Sequence, residues 1–117
     1  VQEIIQLSLT AFQTGDLSAA SRVEPLEQVI DTLKDQLRTR QIARLQKGAC
    51  SLETGFIWTG LLTNFERVAD HCSNIAGCIL ETQHKSLDLH EYLDGVKQSA
   101  PAFRRDYEAY SQKYALV

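Results

Sequence analysis

The chain has 117 residues, of which 44% are hydrophobic and 23% are charged, and its formal net charge is −3. This length corresponds to a single domain with its own core, and the composition excludes a disordered chain. The acidic balance argues against phosphate-backbone binding as the main task, because nucleic-acid-binding domains carry an excess of Lys and Arg. The three cysteines, Cys50, Cys72 and Cys78, show no Cys-x-x-Cys spacing, and their odd number predicts a reduced, cytosolic setting.

Apolar spacing predicts two helices in the first half of the chain. Residues 2 to 13 carry apolar side chains at helical spacing, and Gly15 is a typical helix stop. A second helix is predicted from Asp16 or Ser18 to about Lys47. Its apolar residues alternate with spacings of three and four, which is typical of a helix that packs in a bundle. The apolar stripe of the first helix consists of Ile5, Leu9 and Phe12, and that of the second of Val23, Leu26, Ile30, Leu33 and Leu37.

The second half predicts one further long helix and a shorter last helix. The long helix is expected from about Leu52 to Gln83, and a short helix around Leu89 to Lys97. Ser99 and Pro101 then predict the start of a last helix that ends near Tyr114. The apolar stripe of the third helix consists of Trp58, Leu61, Phe65, Val68, Cys72, Ile75 and Ile79. No stretch alternates apolar and polar residues as a half-buried strand would. The fold is therefore predicted as an all-α, antiparallel up-down helical bundle, in which two long helices form a hairpin between shorter N- and C-terminal helices.

The two long helices carry two pairs of carboxylates with the same spacing. Glu27 and Asp31 lie four residues apart on the second helix, so they share one helix face. Glu66 and Asp70 repeat this spacing on the third helix. Because the joint over residues 48–51 is short, the two helices must run antiparallel, and residues whose numbers add up to about 98 lie at the same height. Both pairs are therefore expected at one level of the hairpin.

Angles on a helical wheel place these four carboxylates on the flank or outside of the bundle and not in its core. One interpretation is a surface metal site, because carboxylate oxygens suit iron, manganese, magnesium, calcium or zinc. The other is a solvated acidic face, with Lys34 and Arg67 as counter-charges. Spacing alone leaves both interpretations open.

Other patterns carry less weight. Glu81-Thr-Gln-His84 matches the Glu-x-x-His motif of di-iron bundles, but such bundles need two copies and two further glutamates. His71 beside Asp70 is either a ligand or, as is more common, a histidine on a helix surface. The sequence shows no Ser/His/Asp set, glycine-rich phosphate loop or His-Glu-x-x-His motif, which predicts that the chain is not an enzyme.

The stretch around Asp70 reads Phe65-Glu66-Arg67-Val68-Ala69-Asp70-His71, followed by Asn74-Ile75-Ala76. This stretch resembles the signature of PhoU-like domains. The earlier part of the same repeat is matched by Glu27 to Leu33, with Ala11-Phe12 and Gly15-Asp16 before it. The resemblance covers residues 10 to 82. The tail from Tyr92 to Tyr114 is similar in character to the C-terminal end of sodium/phosphate cotransporter family proteins, which carry a PhoU-like domain after their membrane part.

The resemblance implies a fold and a site. PhoU proteins consist of two three-helix repeats, and their Glu/Asp-x-x-x-Asp motifs bind iron or zinc on the bundle surface. Carried over to this sequence, the metal ligands would be Glu27, Asp31, Glu66 and Asp70. The family regulates phosphate uptake and signalling, and it acts on a transporter and a sensor kinase at the cytoplasmic face of the membrane. This chain has room for one repeat only, so a homodimer would be needed for a two-repeat arrangement.

The resemblance leads to expectations about domain organisation, function and partners. Residues 1–117 are expected to form one PhoU-like domain cut from a longer chain, because the sequence starts at Val1 and contains no methionine. The expected function is non-enzymatic regulation of sodium/phosphate transport at the inner face of the cell membrane. The expected partners are a transporter membrane domain or other phosphate-uptake and signalling proteins, with no nucleic acid and no membrane insertion. The alternatives are a plain helical interaction module without metal and a di-metal carboxylate enzyme.

Overall fold

Four helices make up the part of the chain that the computed structural model describes, residues 1–85 and 89–116, with side chains described for residues 1–82 and 101–116. They are α1 (Gln2–Thr14), α2 (Leu17–Gln46), α3 (Leu52–Lys85) and α4 (Leu89–Lys113). These ranges contain no strand, and the predicted all-α bundle is confirmed. Helix α2 packs against the other three helices, and α1 also packs against α3, in an elongated body of 59 × 24 × 19 Å.

Local signals set the helix ends close to the predicted positions. Gly15 ends α1 with φ of 66°, a left-handed conformation that glycine adopts without steric cost. The Asp16 carboxylate then accepts hydrogen bonds from the backbone N–H groups of Ser18 and Ala19, at 2.9 and 3.2 Å, and so caps α2. Gly48, with φ of 71°, turns the chain between α2 and α3. The hairpin of two long helices follows directly from these three signals.

The last helix is longer than predicted. Helix α4 runs without a break from Leu89 to Lys113 and contains Pro101, so the prediction of a short helix followed by a separate last helix was wrong. An interior proline costs a helix about 3 kcal/mol, because it removes one hydrogen bond and crowds the preceding turn. Helix α4 gains from packing Tyr107 and Tyr110 against the core, and Tyr110 is only 8% exposed. This tertiary burial offsets the local signal of the proline.

A small-residue core lies where α1, α2 and α3 meet and where the end of α4 reaches them. The predicted α2 residues Val23, Leu26 and Ile30 are buried, and alanines from three helices allow close approach. The buried apolar residues that form this core are Ile4, Ala11, Ala19, Ala20, Val23, Leu26, Val29, Ile30, Ala69, Cys72, Ala76 and Tyr110. The core holds the N-terminal half of α2 against the C-terminal half of α3, which is the level of the predicted carboxylate pairs.

The apolar stripe predicted for α1 faces outward. Ile4, Ser8 and Ala11 are buried instead, and the Ser8 hydroxyl donates a 2.8 Å hydrogen bond to the Ile4 carbonyl. The larger stripe residues Leu9 and Phe12 remain 50% and 73% exposed. The stripe of α3 is divided, because Cys72 is buried and Val68 and Ile79 pack against the core. Leu61, Phe65 and Ile75 of the same stripe are exposed. Both helices therefore leave several large apolar residues open.

Glu3 ties the end of α4 to the start of α1. Lys113 Nζ lies 3.0 Å from both carboxylate oxygens of Glu3, and the Tyr114 hydroxyl donates to the same group. Burial opposes ionisation of Glu3, but these hydrogen bonds and the Lys113 charge prevail and lower its pKa. None of the described helices is long and apolar enough to cross a lipid bilayer.

Candidate carboxylate site

Two side-chain contacts between α2 and α3 set the height at which the carboxylate pairs face each other. The Ser73 hydroxyl donates a hydrogen bond to the Glu24 carboxylate. Lys34 Nζ forms an ion pair with Glu66, at 2.9 Å from Oε1. Both contacts fall within two residues of the register that the short joint predicts. The prediction that the two pairs share one level of the hairpin is therefore confirmed.

Glu27 lies at the centre of the acidic group. Partial burial, the hydrogen bond with the Asp31 carboxyl and the charges of Asp31, Glu24 and Asp70 raise the pKa of Glu27 to about 7. Each of these causes disfavours the ionised form, because a half-buried carboxylate loses hydration and meets negative neighbours. Asp31 on the same helix and Asp70 across the α2/α3 contact thus both lie close enough to Glu27 to disfavour its ionised form.

Asp31 contributes an unusual oxygen atom to this group. Its Oδ1 is buried and accepts no hydrogen bond from any described residue. Leaving a buried acceptor unsatisfied costs about 1–3 kcal/mol, and more for a charged group. A cation bound next to Glu27 and Asp31 would satisfy this oxygen and would also reduce the repulsion between the two carboxylates. The buried oxygen thus fits a metal-binding role for Asp31.

Glu66 has a different neighbour. Its ion pair with Lys34 is partly sheltered, since the Lys34 side chain is 15% exposed. The hydrogen bond to Glu66 raises the pKa of Lys34 against the effect of burial, so the ammonium is firmly held. Lys34 was one of the two counter-charges predicted for a solvated acidic face. A metal ion would have to displace Lys34 before Glu66 could become a ligand.

The four residues predicted as ligands therefore fall into two groups with different surroundings at one level of the hairpin. Glu27 and Asp31 are half-buried beside the exposed Asp70, whereas Glu66 is paired with Lys34. Within the described ranges, no group of three or more His, Cys, Asp and Glu side chains is arranged to hold a metal ion. The metal site stays a prediction.

Sequence reasoning missed Glu24 as a member of the acidic group. Glu24 raises the pKa of Glu27 and accepts a hydrogen bond from Ser73 across the hairpin. Two signals could have identified it, because Glu24 lies three residues before Glu27 and Ser73 lies at the same height on α3. His71, by contrast, does not join the carboxylates but lines a groove between α1 and α3. His84 of the Glu-x-x-His motif lies outside the described side chains.

Comparison with known proteins assigns the fold to a family. The model of the PhoU domain family matches residues 1–79, which include all four predicted ligands. The chain belongs to the PhoU domain family. It is also similar to the phosphate-specific transport system accessory protein PhoU homolog 1 of Thermotoga maritima, with 24% identity over 98 residues. No solved structure matches the chain significantly.

The matches to the family and to the Thermotoga protein cover only part of each chain. The matched segment takes in 84% of the chain but 42% of the Thermotoga protein, so the chain spans less than half the length of this curated relative. The family match ends within α3 and leaves α4 outside. The PhoU domain thus accounts for α1, α2 and most of α3, which are the helices that carry the acidic group.

Proposed function

We propose that this PhoU domain is a non-enzymatic regulator of phosphate transport. Membership of the PhoU family supports the proposal, together with similarity to a protein named as an accessory of a phosphate-specific transport system. The observation that carries it is the acidic group on α2 and α3, which concentrates negative charge around the half-buried Glu27 and leaves the buried Asp31 Oδ1 without a hydrogen-bond partner. The domain would act by contact with a partner.

The acidic group is proposed to bind a metal ion, either iron or zinc. Asp31 and Glu27 would hold the ion, since the buried Asp31 Oδ1 lacks a partner and Glu27 carries unfavourable negative neighbours. Asp70 would complete the set from α3, and Glu66 would join if Lys34 moved away. The bound ion would neutralise repulsion between the carboxylates and hold α2 and α3 together. It would order the surface that a partner contacts.

The proposed cellular setting is the inner face of the cell membrane. The tail from Tyr92 to Tyr114 is similar in character to the end of sodium/phosphate cotransporter family proteins, which supports a place beside the membrane part of such a transporter. The proposed partners are that transporter domain or other proteins of phosphate uptake and signalling. Measurement of phosphate uptake in cells lacking this gene tests the function: we expect uptake to lose its response to external phosphate and the wild-type gene to restore it. Unchanged regulation after deletion would contradict the proposal.

Metal binding is tested on the purified chain. After removal of metal with EDTA and incubation with zinc or iron, elemental analysis compares the wild type with the double variant Asp31→Asn/Asp70→Asn. We expect the double variant to lose most of the bound metal, because it removes two of the carboxylate charges. Glu53→Gln is the control, since Glu53 is exposed in the first turn of α3. Equal metal content in the wild type and the double variant would refute the site.

A second function is favoured by one contact. The Lys34–Glu66 ion pair shows that part of the acidic group is neutralised by the chain itself. The domain would then be a plain helical interaction module whose carboxylates need no metal. Elemental analysis separates the two functions, because the module predicts no specific metal in any variant while phosphate regulation in cells persists.

A further inference from the structure

The turn that joins α2 to α3 exposes large apolar residues at one end of the hairpin. We name residues 38–57 the hairpin tip. Leu52 and Phe56, one helical turn apart on α3, are 72% and 77% exposed, and Ile57 is exposed beside them. On the other arm of the tip, Ile42 of α2 is also exposed. Isolated apolar residues are common on protein surfaces, but several large ones together at one end of a hairpin indicate a contact surface.

Side-chain contacts hold the two arms of the hairpin tip together. The buried Gln41 amide donates a hydrogen bond to the Cys50 sulfur at 3.4 Å, and its amide oxygen accepts two hydrogen bonds from the Arg44 guanidinium, at 2.6 and 3.2 Å. Gln41 also lies against Gly55, where an added Cβ would come within 3.2 Å of the amide nitrogen. The small Gly55 thus lets the arms pack closely, while its neighbour Phe56 stays outside. The apolar residues are therefore presented by a well-packed turn.

The charge of the hairpin tip is opposite to that of the rest of the chain. The tip contains four basic residues and one acidic residue, Glu53, which leaves eight basic and fourteen acidic residues elsewhere. A group of four or more Lys and Arg side chains on an amphipathic helix is typical of segments that bind anionic lipids. The four basic residues of the tip are exposed and lie within the last turns and the C-cap of α2: Arg38, Arg40, Arg44 and Lys47.

The combination of basic and projecting apolar side chains favours a lipid surface over a protein surface. A protein partner would need a fitted pocket for each projecting residue, because protein interfaces are closely packed. Lipid headgroups and acyl chains adjust to the side chains that enter them, so Phe and Leu reach the apolar boundary while Lys and Arg stay among the headgroups. The positive charge of the tip further requires that the lipid be anionic.

We propose that the hairpin tip binds an anionic lipid surface. Leu52 and Phe56 would enter the boundary between headgroups and acyl chains, and the basic residues of α2 would lie against the anionic headgroups. Only side chains of the tip would enter the lipid, so this contact differs from the insertion of a helix. The rise along α2 from Asp31 to Gln46 is roughly 20 Å, so the acidic group would remain clear of the lipid and open to a partner protein.

Co-sedimentation of the purified 117-residue chain with sucrose-loaded vesicles tests the proposal. Vesicles of phosphatidylcholine alone are compared with vesicles that also contain phosphatidylglycerol. We expect binding to the anionic vesicles only, and weaker binding when the salt is raised from about 0.1 to about 0.5 M, because salt screens the attraction. Arg38→Gln/Arg40→Gln should lower the partition coefficient at least about tenfold, since each basic residue near an anionic surface contributes about fivefold. The measurement needs neither metal nor phosphate regulation, so its outcome does not depend on the proposed function.

Matched controls separate the hairpin tip from other exposed apolar and basic residues. Phe56→Ser should lower the partition coefficient at least about tenfold, because it removes the burial of one aromatic side chain. Phe12→Ser makes the same change at 73% exposure on α1 and should leave the coefficient within about twofold. Arg104→Gln/Arg105→Gln, on α4, removes two exposed basic residues outside the tip and should also leave it within about twofold.

Thermal unfolding by circular dichroism accompanies each variant, and the exposed positions should keep the fold intact. A wild type that does not bind anionic vesicles at about 1 mM lipid would overturn the proposal. Equal binding to the two kinds of vesicle would also overturn it, as would a loss of binding that is as large in Phe12→Ser as in Phe56→Ser. Binding of a polyglutamate peptide in place of vesicles, lost in Arg38→Gln/Arg40→Gln, would assign the tip to an acidic protein partner and would refute the lipid surface.

Discussion

Replacement of Glu27 by glutamine provides a direct test of the acidic group. The folded pKa of Glu27 is about 7, against an ordinary value of 4.5, so the folded chain holds a proton there that the unfolded chain has already lost. Stability must then fall as the pH rises from about 4.5 through 7, because the folded state has to ionise against burial and negative neighbours. Below pH 4.5 the group is protonated in both states and contributes no such penalty.

The magnitude follows from the size of the shift. A shift from 4.5 to about 7 corresponds to roughly 3 kcal/mol if the site were fully sheltered from solvent. Glu27 is only half-buried, so water screens part of the interaction, and about 1–2 kcal/mol is the expected penalty at pH 8. Glutamine has the same shape and cannot ionise. Glu27→Gln should therefore stabilise the chain by about 1–2 kcal/mol at pH 8 and by close to nothing at pH 4.5.

Urea unfolding followed by circular dichroism, in EDTA, measures both values. EDTA matters because a bound cation would favour ionised Glu27 and hide the penalty. Glu108→Gln serves as the control, since Glu108 is exposed on α4 and lies away from the acidic group. The reasoning is refuted if Glu27→Gln changes stability equally at the two pH values, or if it destabilises the chain at pH 8. With zinc present in place of EDTA, the proposed metal site predicts the opposite order, with the wild type more stable than Glu27→Gln.

Three further predictions concern the fold. Ile4→Ala should destabilise the chain by about 2–4 kcal/mol in urea unfolding, because Ile4 is fully buried. Ile5→Ala, at the neighbouring exposed position, should cost less than about 1 kcal/mol. Equal losses of stability in the two variants would contradict the assignment of the inner face of α1. Asp16→Ala should lower stability by about 1 kcal/mol through loss of the cap, while Asp16→Asn should retain most of it. Lys34→Met should lower the free energy of unfolding by about 1 kcal/mol at low salt and by less in 1 M NaCl, because it leaves the half-buried Glu66 without its cation. A loss of stability that does not depend on salt would show that Lys34 contributes through packing and not through its charge.

Helix ends and hairpin register could be predicted because their causes are local. Gly15 and Asp16 stop and start a helix through their own conformation and side chain, and the short joint allows only one pairing of α2 and α3. The inner face of α1 could not be predicted in this way. Periodicity marks Ile5 and Phe12 as strongly as any core residue, and only the close approach of helices through alanines selects Ile4 and Ala11 for the interior.

The candidate site shows the same division between local and tertiary causes. Spacing predicted that the carboxylate pairs share one level, and the hairpin geometry brings Glu27 and Asp31 toward Asp70 as expected. Spacing could not show that the Lys34 side chain reaches Glu66, because a flexible lysine has several acceptors within range on α2 and α3. Nor could it show that Asp31 Oδ1 is buried, since this depends on how neighbouring side chains fill the flank.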